Sequence, residues 1–343
     1  MKIGVIGAGA IIQAAHLPAY RSAGYPVQAI YDHDDAVARK VAADFQIPHL
    51  CSSLEELLAD PKVGVVDIAV PPQFQPAIAR SAMAAGKHML CQKPLALSYA
   101  EARALVEEAA QAKRKMAVNQ QMRWDPMIRA TKKLLDDGVL GQALNCTLEE
   151  SVYTDWFQWT WIPLSDRLDL LLHSIHYFDS LRYLFGEPEW VFSAIDRYPG
   201  QKEVGETRSL TCLRFPGGVL AHVSVHHNNW AGDEFVTWRV EGNEAIIRGD
   251  FGHLRNYPRG EPDVLEYRRR QDDGWNRTAF TEKWFPDAFA GPMGSLLESI
   301  RTCHDPLTSG RDNLKTLALV LAAYRSVDEK RAVAPEEIVA SSR

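Results

Sequence analysis

The sequence lacks the features that mark membrane, secreted and nucleic-acid-binding proteins. No apolar stretch approaches the length of a transmembrane helix. There is no basic run to complement phosphate, and the net charge is −6. The first residues, Met1–Ile6, already read as a strand, and Gly7 interrupts them too early for a signal peptide. We therefore expect a cytoplasmic protein that binds neither a membrane nor nucleic acid.

Cysteines are few and dispersed, which argues against a disulfide framework and against a thiolate metal site. Their number is odd, and no two have the C-x-x-C spacing of a metal or redox pair. Reduced, mostly buried thiols are expected at Cys51, Cys91, Cys146, Cys212 and Cys303.

The length of 343 residues favours two domains, and the hydrophobic patterns differ between the two parts of the chain. Up to about residue 119, apolar strands alternate with helical patterns, which implies right-handed crossovers and a parallel sheet. Beyond that point strand-like runs dominate, and Pro216-Gly217-Gly218 separates two of them as a hairpin turn. A long helix is predicted over residues 168–185. The second part should therefore be a mostly antiparallel sheet with helices on one face.

A glycine loop joins the first predicted strand to the first helix. In Gly7-Ala8-Gly9-Ala10-Ile11, Gly7 permits a tight turn and Gly9 lets the backbone approach a pyrophosphate. The helix N-terminus at Ala10 and Ile11 favours a negatively charged group. An ordinary strand–helix turn is the alternative interpretation. The context favours a dinucleotide-binding (Rossmann) domain.

Two further strand ends would lie at the same edge of this sheet. Asp32 follows the second strand, close to the roughly 20-residue spacing expected of an acidic residue that binds the adenosine ribose. Its carboxylate would repel a 2′-phosphate, so NAD is favoured over NADP, although a protonated His33 could soften this preference. A solvated turn aspartate is the alternative. Val70, Pro71 and Pro72 end another strand and could offer an apolar surface to a cofactor ring, or simply terminate the strand.

Lys93 lies at the carboxyl end of a short buried strand over residues 88–91, where open parallel sheets bind ligands. Pro94 restricts the backbone of Lys93 to extended conformations. Beside a nicotinamide and partly buried, the amine would have a lowered pKa. It could then hydrogen-bond a substrate hydroxyl and stabilise the developing alkoxide. Without the dinucleotide loop, a surface lysine would be the better interpretation.

His173 and His176 are spaced to share one face of the predicted helix, with Asp169 and Asp179 on either side. A histidine can accept a hydroxyl proton near neutral pH. A single metal ion could not collect all four side chains, because the two aspartates are nearly three helical turns apart. No metal is therefore expected, and structural histidines remain the alternative.

Aromatic and basic side chains precede this helix. Trp156 and Trp159 could pack on the C–H face of a sugar, or form a hydrophobic plug or subunit contact. Arg123-Trp124 opens the second part of the chain, where Arg123 could hold a substrate oxygen or anionic group.

Taken in order along the chain, these motifs resemble the glucose–fructose oxidoreductase/inositol dehydrogenase (Gfo/Idh/MocA) family. The matching stretches are Gly7-Ala8-Gly9, His16-Leu17-Pro18, Val70-Pro71-Pro72, Ala85-Gly86-Lys87-His88, Lys93-Pro94, Asn119, Arg123-Trp124-Asp125-Pro126, His176-Tyr177-Phe178-Asp179, Leu181–Gly186, Ser309-Gly310 and Ala322–Ser326.

The resemblance implies an α/β protein. Its N-terminal Rossmann domain, residues 1–122, carries a parallel sheet. Its C-terminal α+β domain, residues 123–343, carries a large, mostly antiparallel open sheet, and its last helix could pack back on the first domain. It further implies a homodimer or homotetramer formed through the C-terminal sheet. Lys93 and His176 would be catalytic, and Asn119 and Arg123, with Trp124, Trp156, Trp159 and His173, would position the substrate.

Three positions depart from the family pattern. Gln92 replaces the usual glutamate before Lys93, and Gln75 stands where many members have a histidine after the Pro-Pro loop. Leu172 replaces the aspartate that many members carry four residues before His176. We expect His173 to compensate by pairing with His176.

The leading hypothesis is an NAD-dependent dehydrogenase that transfers hydride between a sugar, cyclitol or related polyol and the nicotinamide. The expected cofactor-binding residues are Gly7, Gly9, Ala10, Ile11, Asp32, His33, Val70, Pro71, Pro72, Gln75, Gln92 and Lys93. A non-catalytic NAD- or sugar-responsive binding protein is the alternative, and an NADP-dependent reductase of an aldehyde or imine is a third reading. The identity of the sugar, the reaction direction and the stereochemistry do not follow from the sequence.

Overall fold

The computed structural model describes residues 1–252 and 260–342. The first of its two compact units comprises residues 1–121 and 285–314, and the remaining described residues form the second. No helix within the described ranges is long and apolar enough to cross a bilayer.

The first unit is built on a parallel sheet of six strands in the order β3-β2-β1-β4-β5-β6. Every pairing in it is parallel, as the alternation of strands and helices predicts. The strands are β1 (Lys2–Ile6), β2 (Val27–Tyr31), β3 (His49–Leu50), β4 (Val63–Ile68), β5 (His88–Cys91) and β6 (Met116–Val118).

Helices connect these strands, and several begin at a residue whose side chain caps the helix. Asp34, Ser53 and Ser98 each accept a hydrogen bond from a backbone N–H of the first turn. The first helix opens with a π-helical segment, Ile12–His16. The α-helices are α1 (Leu17–Ala23), α2 (Asp35–Phe45), α3 (Leu54–Ala59), α4 (Gln75–Ala84) and α5 (Tyr99–Gln111).

Residues 285–314 group with the first unit, in addition to the residues before the predicted division at residue 122. The backbone N–H of Val118 at the end of β6 donates to the carbonyl of Thr308. The sequence gives no local sign of this return, because the contacts join residues nearly 200 positions apart.

The second unit contains an eight-stranded sheet in the order β14-β13-β12-β11-β7-β10-β9-β8. All pairings are antiparallel except that of β7 with β10, which confirms the predicted mostly antiparallel sheet. The strands are β7 (Ala143–Ser151), β8 (Trp190–Asp196), β9 (Arg208–Arg214), β10 (Leu220–His226), β11 (Phe235–Gly242), β12 (Ala245–Asp250), β13 (Val264–Arg269) and β14 (Asn276–Ala279).

The predicted helix over residues 168–185 is not one continuous α-helix. It opens with a π-helical turn, Asp169–His173, and continues as an α-helix after Ser174. The buried Glu206 carboxylate accepts the N–H groups of Leu168 and Leu170, which satisfies the first donors of this segment. The remaining α-helices are α6 (Pro126–Asp136), α7 (Ile175–Phe185), α8 (Ala290–Thr302), α9 (Gly310–Glu329) and α10 (Pro335–Ser341).

Candidate active site

The glycine loop after β1 has the shape that a pyrophosphate requires. Gly7 adopts φ +98°, and a Cβ there would lie 2.4 Å from the Ala69 carbonyl oxygen, so a side chain is excluded. Gly9 is exposed, and a Cβ built on it would meet nothing within 4 Å. The backbone of Ala10 and Ile11 is already helical. The loop therefore presents accessible backbone at a helix N-terminus.

Asp32 is bound to this loop through its side chain. Its Oδ2 accepts the N–H of Ala8 at 2.6 Å, and its Oδ1 accepts the N–H of Asp34 at 2.9 Å. The imidazole of His33 lies 2.8 Å from Oδ1 but is 93% exposed. The carboxylate is thus held beside the glycine loop, where the sequence predicts a contact with the adenosine ribose.

Gln75 is placed differently from the prediction that it contacts a cofactor. The side chain is fully buried. Its Nε2 donates to the carbonyls of Gln92, Pro94 and Leu95 at 2.8–3.1 Å, and its Oε1 accepts the N–H of Gln92 at 2.8 Å. Gln75 therefore fixes the loop that carries Lys93, while Val70 and Pro71 at the end of β4 remain partly exposed and Pro72 is buried.

Lys93 lies directly after β5 and Gln92, at the carboxyl edge of the parallel sheet, as predicted. Its N–H donates to the Oε1 of Gln92 at 2.8 Å, and a cis peptide bond joins it to Pro94. Burial lowers the pKa of the Lys93 amine to about 8. The amine therefore exchanges its proton close to neutral pH, which suits a group that acts on a hydroxyl.

The lowered pKa of Lys93 predicts a stability that depends on pH. Between about pH 8 and the ordinary lysine pKa the unfolded chain binds the proton that the folded chain has lost, so stability rises with pH across that window. Compared with Lys93→Met, the wild type should gain about 1–2 kcal/mol between these limits, allowing for the partial exposure of Lys93. Urea denaturation of both proteins at several pH values measures this gain, and a difference that does not change with pH would contradict the burial of a neutral amine.

A buried hydrogen-bond network lies behind the Lys93 loop. His16 Nδ1 is 2.7 Å from Asp67 Oδ2, which also accepts the Tyr20 hydroxyl. Because His16 donates its Nδ1–H to the Asp67 carboxylate, its Nε2 has a lone pair. That nitrogen accepts hydrogen bonds from the amides of Asn119 at 3.0 Å and Gln92 at 3.3 Å. Asn119 is fully buried and its amide contacts His16, and its predicted role in substrate binding is untested. Asp67 was missed, although a lone acid inside the apolar run of β4 is a detectable signal.

In the second unit, His176 lies in the first turn of α7. Its side chain is 6% exposed, and its ring packs edge-on against Trp284 with the centroids 5.9 Å apart. Leu172, at the position of the usual aspartate, is buried and apolar.

His173 belongs to a different group of side chains, which we call the histidine–carboxylate cluster: Glu150, Asp169, His173 and His227. Asp169 Oδ1 lies 3.0 Å from His227 Nε2 and 3.5 Å from His173 Nδ1. Burial raises the pKa of Asp169, but the two histidines outweigh it and hold that pKa below its usual range. The sequence placed His173 beside the substrate, whereas the structure turns it towards these two buried carboxylates. Glu150 and His227 were missed, because they come from distant strands.

Arg123 is paired with a buried carboxylate of the same unit. Its Nε and one terminal nitrogen each donate to Asp179 at 2.7 Å, and both side chains are at most 4% exposed. Asp179 also accepts the Thr316 hydroxyl at 2.6 Å. A fork-shaped pair of this kind fixes α7 against the segment before α6, and the predicted role of Arg123 in substrate binding is untested.

The predicted tryptophans differ in how far they are buried. Trp156 is 4% exposed and packs edge-on against His227 at 4.8 Å, so it is part of the core, not a sugar platform. Trp159, which packs against Trp156, and Trp124 are both partly exposed, and their predicted contact with a substrate is untested.

Comparison with known proteins identifies the family. Residues 1–120 match the oxidoreductase family with an NAD-binding Rossmann fold, and residues 128–255 match the Gfo/Idh/MocA C-terminal domain. The chain belongs to the Gfo/Idh/MocA oxidoreductase family. The family predicted from the sequence motifs is thus confirmed.

Relatives match along almost the whole chain. D-apiose dehydrogenase of Paraburkholderia graminis is 30% identical, over 97% of this chain and 89% of that protein. Myo-inositol 2-dehydrogenase of Thermotoga maritima is 26% identical, over 99% of this chain and 100% of that protein. The crystal structure of an Agrobacterium radiobacter oxidoreductase in complex with NAD⁺, L-tartaric acid and magnesium shares the fold. Its TM-score is 0.87 at 24% identity, and the match covers 98% of this chain and 99% of that one.

These findings confirm an NAD-dependent oxidoreductase of the dehydrogenase type, acting on CH–OH groups. The non-catalytic alternative receives no support from them.

Proposed function

We propose that this enzyme oxidises a secondary alcohol of a sugar, cyclitol or related polyol, with Lys93 and His176 as its catalytic residues. The observation that carries the proposal is the placement of Lys93. The buried side chain of Gln75 holds the loop that carries Lys93 at the carboxyl edge of the Rossmann sheet. Burial lowers the pKa of the Lys93 amine to about 8. The names of the relatives, an apiose and an inositol dehydrogenase among them, support the substrate class.

The residues present fit a dinucleotide. Gly9 leaves open space beside exposed backbone at a helix N-terminus, and the Asp32 carboxylate adjoins that loop. Gly7, Gly9, Ala10 and Ile11 would hold the pyrophosphate, Asp32 the adenosine ribose, and Val70 and Pro71 a ring face. When bound, the nicotinamide supplies the hydride acceptor.

The protein residues would then manage the proton and the charge on the substrate oxygen. His176 would accept the hydroxyl proton, and its packing against Trp284 restricts the orientation of its ring. Lys93 would hydrogen-bond the same oxygen and stabilise the alkoxide as hydride leaves carbon. Gln92 holds the Lys93 backbone without placing a negative charge there.

A substrate screen tests the proposal. Purified enzyme with NAD⁺ and a panel of aldoses, ketoses, inositols and other polyols should form NADH, followed by its absorbance, with at least one compound. Absence of turnover across the panel, together with tight NADH binding, would reject the proposed substrate class.

The position of Asp32 predicts the choice of cofactor. We expect NADH to bind at least about tenfold more tightly than NADPH, because the carboxylate beside the glycine loop repels a 2′-phosphate. Titration calorimetry with both cofactors measures this ratio of dissociation constants. Asp34→Asn should leave the ratio unchanged, because the Asp34 side chain caps α2 and does not bind the glycine loop. Tighter binding of NADPH would overturn the role assigned to Asp32.

Association through the C-terminal sheet stays a prediction, and the outer face of that sheet supports it. Phe192, Leu210 and Leu220 on three adjacent strands are each more than 40% exposed. Exposed apolar side chains grouped in this way are typical of a protein interface, and a second copy of the chain is the partner that the family resemblance favours.

A further inference from the structure

The histidine–carboxylate cluster lies in the interior of the second unit, and the proposed reaction does not use it. Glu150 comes from β7, Asp169 and His173 from the two ends of the π-helical turn, and His227 directly follows β10. The side chains of Glu150, Asp169 and His227 are fully buried, and that of His173 is 18% exposed. Burying this many ionisable groups is costly unless they bind one another or a cation.

Asp169 determines how the two imidazole rings are oriented. It approaches Nε2 of His227 and Nδ1 of His173, and a carboxylate can only accept a hydrogen bond. The 3.0 Å hydrogen bond places the proton of His227 on Nε2 and leaves a lone pair on its Nδ1. The longer 3.5 Å contact favours the proton of His173 on Nδ1, which would leave a lone pair on its Nε2. Both of these nitrogens face Glu150 Oε1, at 3.7 Å and 3.6 Å.

Three electron-pair donors thus converge on one point. Glu150 Oε1 has no hydrogen-bond partner within residues 1–252 and 260–342. All three donor atoms lie within 4.8 Å of one another. Ligands of a tetrahedral zinc ion, bound at about 2.0–2.1 Å, are separated by about 3.3–3.4 Å. The two distances from Glu150 Oε1, 3.6 Å and 3.7 Å, exceed that value by a few tenths of an ångström, and the two imidazole nitrogens lie within 4.8 Å of each other.

The groups around the donors are those that support a metal ligand. The second oxygen of Glu150 accepts the Tyr177 hydroxyl, and Asp169 also accepts the hydroxyls of Ser174 and Ser209. A histidine whose second nitrogen donates to a carboxylate is the usual arrangement at zinc sites, because the carboxylate fixes the ring and raises its basicity.

We propose that the histidine–carboxylate cluster binds a divalent transition metal, with zinc as the first choice, through His173 Nε2, His227 Nδ1 and Glu150 Oε1. Two imidazoles and one carboxylate suit zinc better than magnesium or calcium, which prefer oxygen ligands. The Thr154 hydroxyl lies 3.0 Å from His227 Nδ1, and a bound metal would replace that hydrogen bond. The proposal goes beyond the dehydrogenase reaction and differs from the expectation, drawn from the sequence, that the chain holds no metal.

A bound ion would join three separate elements of the second unit. It would connect β7, the π-helical turn and the end of β10 through one metal centre. One of its ligands, His173, lies three residues before His176 in the sequence. Metal binding to the folded state alone would therefore raise the thermal stability of this unit.

A second group of possible ligands offers a control. His49, Cys51 and Glu56 also come close together in the first unit, but Glu56 is 40% exposed and its Oε2 accepts both the N–H and the hydroxyl of Ser52. Burial and the nearby carboxylates raise the pKa of Cys51 to about 11, which disfavours the thiolate that a metal needs. Variants of His49 should leave metal binding unchanged.

The test is metal content and affinity in tag-free protein purified without chelator. Mass spectrometry of wild type grown with zinc should find about one zinc per chain. Cobalt substitution should give the visible absorption of a tetrahedral site. His173→Gln and Glu150→Gln should each weaken zinc binding by at least about 100-fold, and Asp169→Asn by roughly 10–100-fold, as measured by chelator competition. His49→Gln should bind zinc like wild type, and circular dichroism confirms that each variant is folded.

Two results would overturn the proposal. One is wild-type protein that retains no stoichiometric zinc or cobalt, which would show that the cluster holds only protons. The other is zinc that is lost in His49→Gln but kept in folded His173→Gln. Neither readout depends on turnover, so the metal site and the dehydrogenase proposal can fail separately.

Discussion

Lys93→Met should lower kcat by about three orders of magnitude and change the NADH dissociation constant by less than about threefold. Removing one preorganised donor to a developing oxyanion typically costs a factor of about 10²–10³. NADH binding should persist because the glycine loop and the Asp32 carboxylate, which would hold the dinucleotide, are joined directly through the Ala8 N–H. Steady-state kinetics on the substrate found by the screen, with NADH titration of the same preparation, measures both quantities.

Lys87 provides a matched control for this variant. It is a buried lysine at the opposite end of β5, where its Nζ donates to the carbonyls of Asp60 and Val63, and burial lowers its pKa as well. Lys87→Met therefore removes a buried amine from the same sheet without touching the carboxyl edge, and kcat per folded molecule should stay within about threefold of wild type. Near-normal turnover in Lys93→Met, or equal losses in both variants, would reject the catalytic assignment of Lys93.

Asp179→Asn should destabilise the protein by about 3–5 kcal/mol, because it leaves the buried Arg123 guanidinium without its counter-charge. The same change weakens the Thr316 hydrogen bond and the 3.5 Å contact with Arg182. For a unit of this size we expect the melting temperature to fall by roughly 6–15 °C. Calorimetry and urea denaturation followed by circular dichroism measure the change.

Two further variants separate this buried pair from ordinary surface charges. Glu187→Gln, which removes a 44% exposed partner of Arg182, should cost less than about 1 kcal/mol. The double variant Arg123→Leu/Asp179→Leu should recover part of the loss, because no charge is then left unpaired. A loss below about 1 kcal/mol in Asp179→Asn would show that Arg123 finds another partner.

Features that depend on neighbours in sequence could be predicted. The glycine loop, the strand ends at Asp32 and Lys93, and the alternation of β1 to β6 with helices each follow from residue spacing that the backbone geometry fixes. The change to a mostly antiparallel sheet followed from turn residues such as Gly217, which adopts φ +79°.

Partnerships between distant residues could not be predicted. Nothing near Arg123 in sequence indicates that Asp179 neutralises it, and nothing near His173 points to Glu150 or His227. The π-helical turn after Leu168 could not be predicted from the hydrophobic pattern either. One extra residue in a turn rotates every later side chain around the helix without changing the composition. Long-range pairing therefore decided which of the predicted polar residues remain available to a ligand.

The return of residues 285–314 to the first unit sets the order in which that unit can be completed during synthesis. Thr308 reaches the backbone of Val118 only after the entire eight-stranded sheet has left the ribosome. Until then β6 and the apolar side chains that later pack against α8 remain exposed to solvent. Folding of the first unit therefore cannot be completed until most of the chain has emerged, and until then its incomplete form is accessible to chaperones and proteases.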